Sequence, residues 1–239
     1  MALPPPDEAP ATRWAAEDYP DYAADVNSSI DFSGLPQSFF TRGKAEKIIE
    51  KVRALQGASP ARLLDIGCGP GLIHAFLPAA EIQLTGVDVN AGAIAAAQAQ
   101  HQANAYLTYD GRALPFEDAS FDIAVAICVI HHVPPAEWGG FVREVRRVLR
   151  PGGVMVVCEH NPLNPLTRLA VHRCKFDHDA VLLRAGSMAK LMRDADFEPA
   201  QIEYIFFTPF DVAIVKRLER AIRWLPLGAQ YVATARKPA

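Results

Sequence analysis

In "LLDIGCGPGLIHAF", residues 63–76, an apolar run ends in Asp65, and Gly67, Gly69 and Gly71 follow at alternate positions. A loop of this kind lets backbone approach a ligand closely, because glycine has no side chain to hold it off. Two glycine loops must be told apart. A dinucleotide loop reads G-x-G-x-x-G and turns its N–H groups and a helix N-terminus toward a pyrophosphate. Here Leu72 takes the third glycine position, and Pro70 has no N–H to offer. Asp65 would also lie beside the phosphates and repel them. The loop suits a positively charged ligand.

A second carboxylate, Asp88, stands at the end of the next apolar run in "TGVDVN". A carboxylate there can accept hydrogen bonds from both hydroxyls of a ribose. Asp65 for an ammonium group, glycines for close approach and Asp88 for a ribose, with nothing for a phosphate, together point to S-adenosylmethionine as cofactor.

These side chains meet only if the chain between them folds suitably. Short apolar runs "ARLLDIG", "IQLTGVDV", "AYLTYD", "FDIAVAICVI" and "VMVVCEH" read as strands, while "NAGAIAAAQAQHQ" and "AEWGGFVREVRRVLR" read as helices between them, the latter stopped by Pro151, Gly152 and Gly153. Uniformly apolar strands alternating with helices indicate a parallel sheet covered on both faces. Ligands of such sheets sit beyond the carboxyl ends of the strands. "SFFTRGKAEKIIEKVRAL" before this region and "SMAKLMRDADFEPA" after it read as helices, "GLIHAFL" as a short one, and "QIEYIFFTPF" and "GAQYVATARKP" as closing strands.

With these motifs in order, the chain resembles the class I S-adenosylmethionine-dependent methyltransferases that act on small molecules, with a methyltransferase type 11-like core. The resemblance runs from about Arg62 to Glu159 through "LLDIGCGPG", "GVDVN", "DGRALPFEDASFDIAVAICVIHHV" and "EVRRVLRPGGVMVV". It implies an α/β fold, a doubly wound, mostly parallel seven-stranded sheet with a helical insert near the C-terminus. It also implies that Asp65, Gly67, Cys68 and Gly69 hold the methionine part of the cofactor and that Asp88 grips the ribose. Val89 would pack on the adenine face, Asp110 and the Gly111 backbone would read its edge, and Cys128 and Val129 would line the pocket near the sulfonium. Family members often carry Gly-Asp where this chain has Tyr109 and Asp110. Read singly, Asp65 and Asp110 are also ordinary loop and turn aspartates.

Methyl transfer from a sulfonium asks chiefly for alignment of nucleophile, methyl carbon and sulfur. A general base assists where the acceptor must lose a proton. His131, His132 and His160 are the candidates for that role, and Glu159 lies beside them. No metal site is expected: adjacent side chains diverge on an extended segment, and no third ligand stands at a recognisable spacing.

The acceptor is read less directly. "CVIHHVPP" lacks the Asn/Asp-Pro-Pro-Tyr/Phe signature of enzymes that methylate nucleobase amino groups, and 24 Lys and Arg fall short of 27 Asp and Glu. Both point away from nucleic acid and toward a small-molecule or carrier- or lipid-linked metabolite. A non-catalytic subunit that binds the cofactor and a nicotinamide-dependent oxidoreductase are the alternative functions. The segment "EHNPLNPLTRLAVHRCKFDHDAVLLR" carries Arg168, His172, Arg173, Lys175 and His178, which read either as a site for an anionic acceptor group or as a solvated face.

In "DVAIVKRLERAIRWLPL", Ile214, Val215, Leu218, Ile222 and Leu225 form one apolar stripe and Lys216, Arg217, Arg220 and Arg223 the remaining surface, with Glu219 opposing them. The expectation is that the stripe packs on the protein's own core; peripheral contact with an anionic membrane is the alternative. Residues 1–12 read as a disordered tail and 13–239 as one domain: a helical cap over 13–57, a cofactor-binding core over 61–160, and an insert with C-terminal strands over 161–239. Trp14, Tyr19 and Tyr22 suit either a lid over the cofactor or an anchor for the arm that bears them. With no apolar run near the roughly 20 residues that cross a bilayer, and no signal peptide in "MALPPPDEAP", a cytoplasmic protein is expected. Cys68, Cys128, Cys158 and Cys174 show no C-x-x-C pairing and read as reduced thiols.

Overall fold

The structure is a computed structural model that describes residues 22–55, 60–208, 210 and 212–239. The tail over 1–12 and the aromatics Trp14 and Tyr19 lie outside the described residues, as does the side chain of Tyr22. The apolar runs form β1 (Ala61–Ile66), β2 (Ile82–Asp88), β3 (Ala105–Thr108), β4 (Phe121–Ile127), β5 (Leu149–His160), β6 (Gln201–Ile205) and β7 (Gln230–Arg236). They build one seven-stranded sheet in the order β3-β2-β1-β4-β5-β7-β6. Every pairing is parallel except those of β7, which runs antiparallel to both β5 and β6. The expected doubly wound sheet is what forms. Strand order reverses between β1 and β4, so a crevice opens beyond their carboxyl ends.

Successive residues of β1 serve opposite faces, as the pleat requires. Leu64 and Ile66 join Val142, Val145 and Met188, which come from α4 (Trp138–Val148) and α6 (Ala185–Asp194). Leu63 faces the other way, toward Ala45, Ile48 and Val52 of α2 (Gln37–Arg53). Each such aliphatic side chain, taken fully out of water, contributes about 1.5–3 kcal/mol. This is why both faces of the sheet must be covered. The remaining helices are α1 (Tyr22–Ser29), α3 (Ala91–Gln100), α5 (Pro165–Arg173) and α7 (Ala213–Ile222). α3 and α5 start at Asn90 and Asn164, whose side chains accept the first free N–H groups.

Three local readings differ from what forms. "GLIHAFL" makes only one 3₁₀ turn, His74–Phe76. The helix expected to run to Arg150 ends at Val148, and the chain enters β5 directly at Leu149, so Pro151, Gly152 and Gly153 lie inside a strand segment. Gly152 has φ +73°, and a Cβ at Gly153 would fall 2.8 Å from the Arg150 carbonyl oxygen, so this kink is accessible only to glycine. β6 stops at Ile205, because Phe206 turns to φ +62° and packs against Phe39 and Phe40 of α2.

The apolar stripe of α7 does not pack on the core as expected. Val215 and Leu225 are half-buried, but Ile214, Leu218 and Ile222 face solvent. Polar anchors decide this orientation. Glu219 turns inward to accept N–H groups of Phe207 and Thr208, and Arg223 reaches Glu203 of β6 while its carbonyl accepts the Tyr204 N–H. Glu203 also holds Lys47 and Lys51 of α2 at 2.6 and 2.8 Å. Although burial works against its charge, those two ammonium groups hold its carboxyl down to about 2. With Glu219, and Arg223 just after the helix, engaged on the β6 side, the stripe is left outside.

Candidate functional site

The cofactor side is built at the ends of β1 and β2. The N–H groups of Gly67 and Cys68 donate to the Val87 carbonyl, which locks the glycine loop over β2. Gly67 has φ +71°, and a Cβ there would come within 2.5 Å of the Val129 side chain. Gly69 N–H donates to Asp88 Oδ2 and Asn90 N–H to Asp88 Oδ1, both at 2.8 Å. A carboxylate offers about four acceptor positions, so Asp88 retains two for a ligand. Burial, with the Asp65 charge adding to it, pushes Asp88 above the usual carboxylate range against these N–H groups.

Asp65 is buried, and its Oδ2 lies 2.8 Å from His74 Nε2. His74 Nδ1 in turn lies 2.7 Å from the Tyr106 hydroxyl. The partners set the protons: the Tyr106 hydroxyl donates to Nδ1, and Nε2–H donates to the carboxylate. Asp65 Oδ1 has no partner and is buried. Such an oxygen is costly to leave unsatisfied, and it fits an ammonium group arriving from a ligand. His74 and Tyr106 escaped the sequence reading because only the fold brings them to Asp65. Val89 follows β2, and Asp110 and Gly111 follow β3. Val89 is exposed beside Gly111, whose added Cβ would sit 3.2 Å from its side chain. Asp110 is exposed, and its Oδ1 accepts the Arg112 and Ala113 N–H groups, so one of its oxygens serves its own turn. Cys68 is buried, and desolvation pushes its thiol far up, with Asp65 and Asp88 adding to the effect.

Beyond β4 and β5 lies a second cluster. Glu159, near the end of β5, is 1 % exposed and accepts the N–H groups of Val129 and Ile130 through Oε1. Its Oε2 lies 2.5 Å from His131 Nδ1. Burial opposes charge on His131, but Glu159 and Asp177 prevail and hold it well above the ordinary imidazole range. Glu159, despite burial, is held low by His131. His132 shares a 3₁₀ turn with His131, with ring centres 4.2 Å apart. Desolvation and the neighbouring His131 charge push it down to about 4. The two rings therefore lie side by side instead of diverging, because the segment is a turn and not a strand.

Asp177 is the group the sequence did not reveal. The insert folds as α5 and a 3₁₀ turn, Lys175–Asp177, which delivers the Asp177 carboxylate to the three histidines. It lies 3.4 Å from His131, 3.5 Å from His132 and 3.7 Å from His160. Against burial, these rings hold Asp177 down to about 2. The basic residues of the same segment stay on the surface: Arg168 and His172 are exposed, Arg173 pairs with Asp31, Lys175 lies over the Phe176 ring and His178 contacts the Lys175 carbonyl.

Cys128 closes the cluster from the end of β4. It adopts φ +57°, a left-handed conformation that costs a non-glycine residue on the order of 1–3 kcal/mol and marks functional sites. Lys44 Nζ of α2 and Gln230 Nε2 of β7 point to its sulfur at 3.9 and 3.7 Å. Burial resists ionisation, yet Lys44 and His160 hold the thiol below its ordinary range. All four cysteines are free thiols. His132, His160, Cys128 and Val129 are half-buried and line the open side, whereas His131 is enclosed.

Residues 64–157 match the protein family described as "Methyltransferase domain". Over 131 residues the chain is 36% identical to a ubiquinone biosynthesis O-methyltransferase of Bradyrhizobium sp. (strain ORS 278), covering 53% of this chain and 51% of that one. Over 165 residues it is 30% identical to the phthiotriol/phenolphthiotriol dimycocerosates methyltransferase of Mycobacterium leprae (strain TN), covering 66% and 56%. The chain thus spans about half the length of the curated relatives it matches. Among solved structures, a SAM dependent methyltransferase from Archaeoglobus fulgidus superposes with a TM-score of 0.68 over 91% of this chain and 100% of that one, at 16% identity, a likeness of fold. Residues 64–157 are therefore a methyltransferase domain, carried on the fold of the class I S-adenosylmethionine-dependent methyltransferases.

Proposed function

We propose that this protein binds S-adenosylmethionine and transfers its methyl group to a hydroxyl of a small-molecule or lipid-linked metabolite. The observation that carries this reading is Asp65 Oδ1, a buried carboxylate oxygen without a partner at the mouth of the glycine loop. An ammonium group satisfies it, while the pyrophosphate of a nicotinamide cofactor would meet repulsion from Asp65 and Asp88 together. The Cys128–Val129 segment flanks the sulfonium, and His132 or His160 takes the proton from the acceptor. His131, enclosed behind them, is a positioning residue. The named relatives, an O-methyltransferase of ubiquinone biosynthesis and a methyltransferase of dimycocerosates, support a hydroxyl and a lipid-linked acceptor. Calorimetric titration tests the cofactor: S-adenosylhomocysteine binds with micromolar or tighter affinity and NADH does not. Binding of NADH alone would overturn the assignment.

The acceptor reading extends to a membrane surface. Among the described residues no helix is long and apolar enough to cross a bilayer. Even so, Leu166, Phe210, Ile214, Leu218, Trp224 and Leu227 are each 59–69% exposed. Two segments present them together, because Asn161 and Asn164 donate to the carbonyls of Pro226, Leu227 and Gly228. Asn161, which ties the two segments together, directly follows His160, and Arg217 and Arg220 are exposed on the same helix as Ile214 and Leu218. Apolar residues with an aromatic and flanking arginines match the interface of an anionic bilayer. A cytoplasmic protein docked there would meet its acceptor in the membrane. The wild type is expected to sediment with phosphatidylglycerol-containing vesicles at low salt and to be released at high salt. The triple variant Arg217→Glu, Arg220→Glu, Trp224→Ala loses at least about tenfold in binding, each arginine being worth roughly 1 kcal/mol. Arg223 is left in place because it holds Glu203. Absence of wild-type binding at low salt rejects the membrane face.

A further inference from the structure

We propose that His131, His160 and Asp177 form a site for one divalent transition-metal ion, zinc being the best match. The side chains come from three separate segments: the turn after β4, the end of β5 and the insert. One ligand atom from each lies within 4.8 Å of the others. Asp177 Oδ1 is 3.4 Å from His131 Nε2, and Oδ2 is 3.7 Å from His160 Nε2. These separations are too long for charge-assisted hydrogen bonds, which close to about 2.7–2.9 Å. The shorter of them matches the roughly 3.3–3.4 Å that separates two ligands of a tetrahedral ion bound at about 2.0–2.1 Å, and an ion would draw the set, within 4.8 Å as it stands, together.

A second observation points the same way. His131 Nε2 is fully buried and makes no hydrogen bond, Asp177 Oδ1 standing 3.4 Å away, so an ion here would take the place of the Nε2 proton. Its other nitrogen is held by Glu159 at 2.5 Å, the arrangement in which a carboxylate sets the tautomer and direction of a metal-binding imidazole. The Val181 N–H donates to the His131 carbonyl and closes the insert over the site. Two imidazoles and one carboxylate make the donor set of catalytic zinc sites, which keep a fourth position open.

That open position gives the site a task, and this part rests on the methyltransferase reading. An acceptor hydroxyl bound to the ion is acidified. Its proton passes to His132, its oxygen attacks the methyl carbon, and the carbon–sulfur bond breaks. The products are a methyl ether, S-adenosylhomocysteine and a protonated imidazole. An alcohol or phenol, especially one with a neighbouring oxygen able to chelate, is the substrate class.

The test needs no knowledge of the acceptor. Apoprotein prepared with a chelator is titrated with zinc against a chromogenic competitor, and separately with cobalt, whose visible absorption reports coordination. One equivalent of zinc is expected to bind, with an intense tetrahedral cobalt spectrum. His160→Ala and Asp177→Asn are each expected to weaken zinc at least tenfold while S-adenosylhomocysteine still binds, which shows that they fold. Zinc affinity unchanged in both variants, or a wild type with neither a stoichiometric zinc site nor a tetrahedral cobalt spectrum, overturns the proposal. Either result leaves the methyl-transfer reading to the cofactor titration, so the two fail separately.

Discussion

Replacing Asp88 by alanine is expected to weaken S-adenosylmethionine binding by about 10²–10³-fold while the protein stays folded. Two effects add. The ribose loses two hydrogen bonds to a charged acceptor, each worth roughly 1.5–3 kcal/mol. The glycine loop also loses an anchor, because Gly69 N–H donates to Asp88 Oδ2. With water replacing part of what the ribose loses, a net loss of about 3–4 kcal/mol, at the low end of that sum, corresponds to that factor in the dissociation constant. Asp88→Asn keeps an acceptor oxygen for one of the two N–H groups and is expected to fall between wild type and alanine. Calorimetric titration of variants with native circular dichroism measures the effect. An affinity within threefold of wild type in Asp88→Ala would remove the ribose contact from the site.

Glu159→Ala is expected to destabilise the fold by about 3–5 kcal/mol, the usual consequence of removing one partner from a buried charge pair. The substitution strips the Val129 and Ile130 N–H groups and the His131 ring of their shared acceptor, all in the interior. For a chain of this size the midpoint of thermal unfolding falls by roughly 2–4 °C per kcal/mol. The difference between wild type and variant depends on pH in a defined direction. Glu159 is held low in the fold, so its contribution is complete above its unfolded value, near 4.5, and is lost as pH falls through the folded one. His131 is held high, so its contribution is complete below its unfolded value, near 6.5, and is lost as pH rises through the folded one. The gap between the two proteins is therefore widest between about pH 4.5 and 6.5. Urea titrations across that range measure it, and a loss under 1 kcal/mol at pH 6 would show that the cluster is not held as described.

The proposed cofactor half of the site was laid out in the sequence, because its parts sit at strand ends in chain order. A strand that stops at a glycine puts the last carboxylate and the loop backbone at the sheet edge whatever the rest of the chain does. Asp65, Gly67, Gly69, Asp88 and Val89 are all of this kind. The alternation of apolar strands and helices likewise implied the doubly wound sheet, since a strand apolar on both faces has only a covered parallel sheet to enter. The antiparallel β7 completes it between β5 and β6.

Tertiary structure alone decided the rest, wherever a side chain's partner comes from far along the chain. Tyr106 reaches His74, which holds Asp65, because β3 lies beside β2, and no spacing in the sequence encodes that relay. Asp177 meets His131, His132 and His160 because the insert folds back over β4 and β5. The stripe of α7 shows the same division of labour. Its amphipathic period was determined locally, since side chains three and four apart share a helix face. Which way that face points was settled by Glu219 and Arg223, whose partners on the β6 side the sequence could not name. The buried Glu203 must find cations and Glu219 its N–H donors, whereas an exposed leucine costs little by itself, so these polar contacts set the orientation and the apolar face went to solvent.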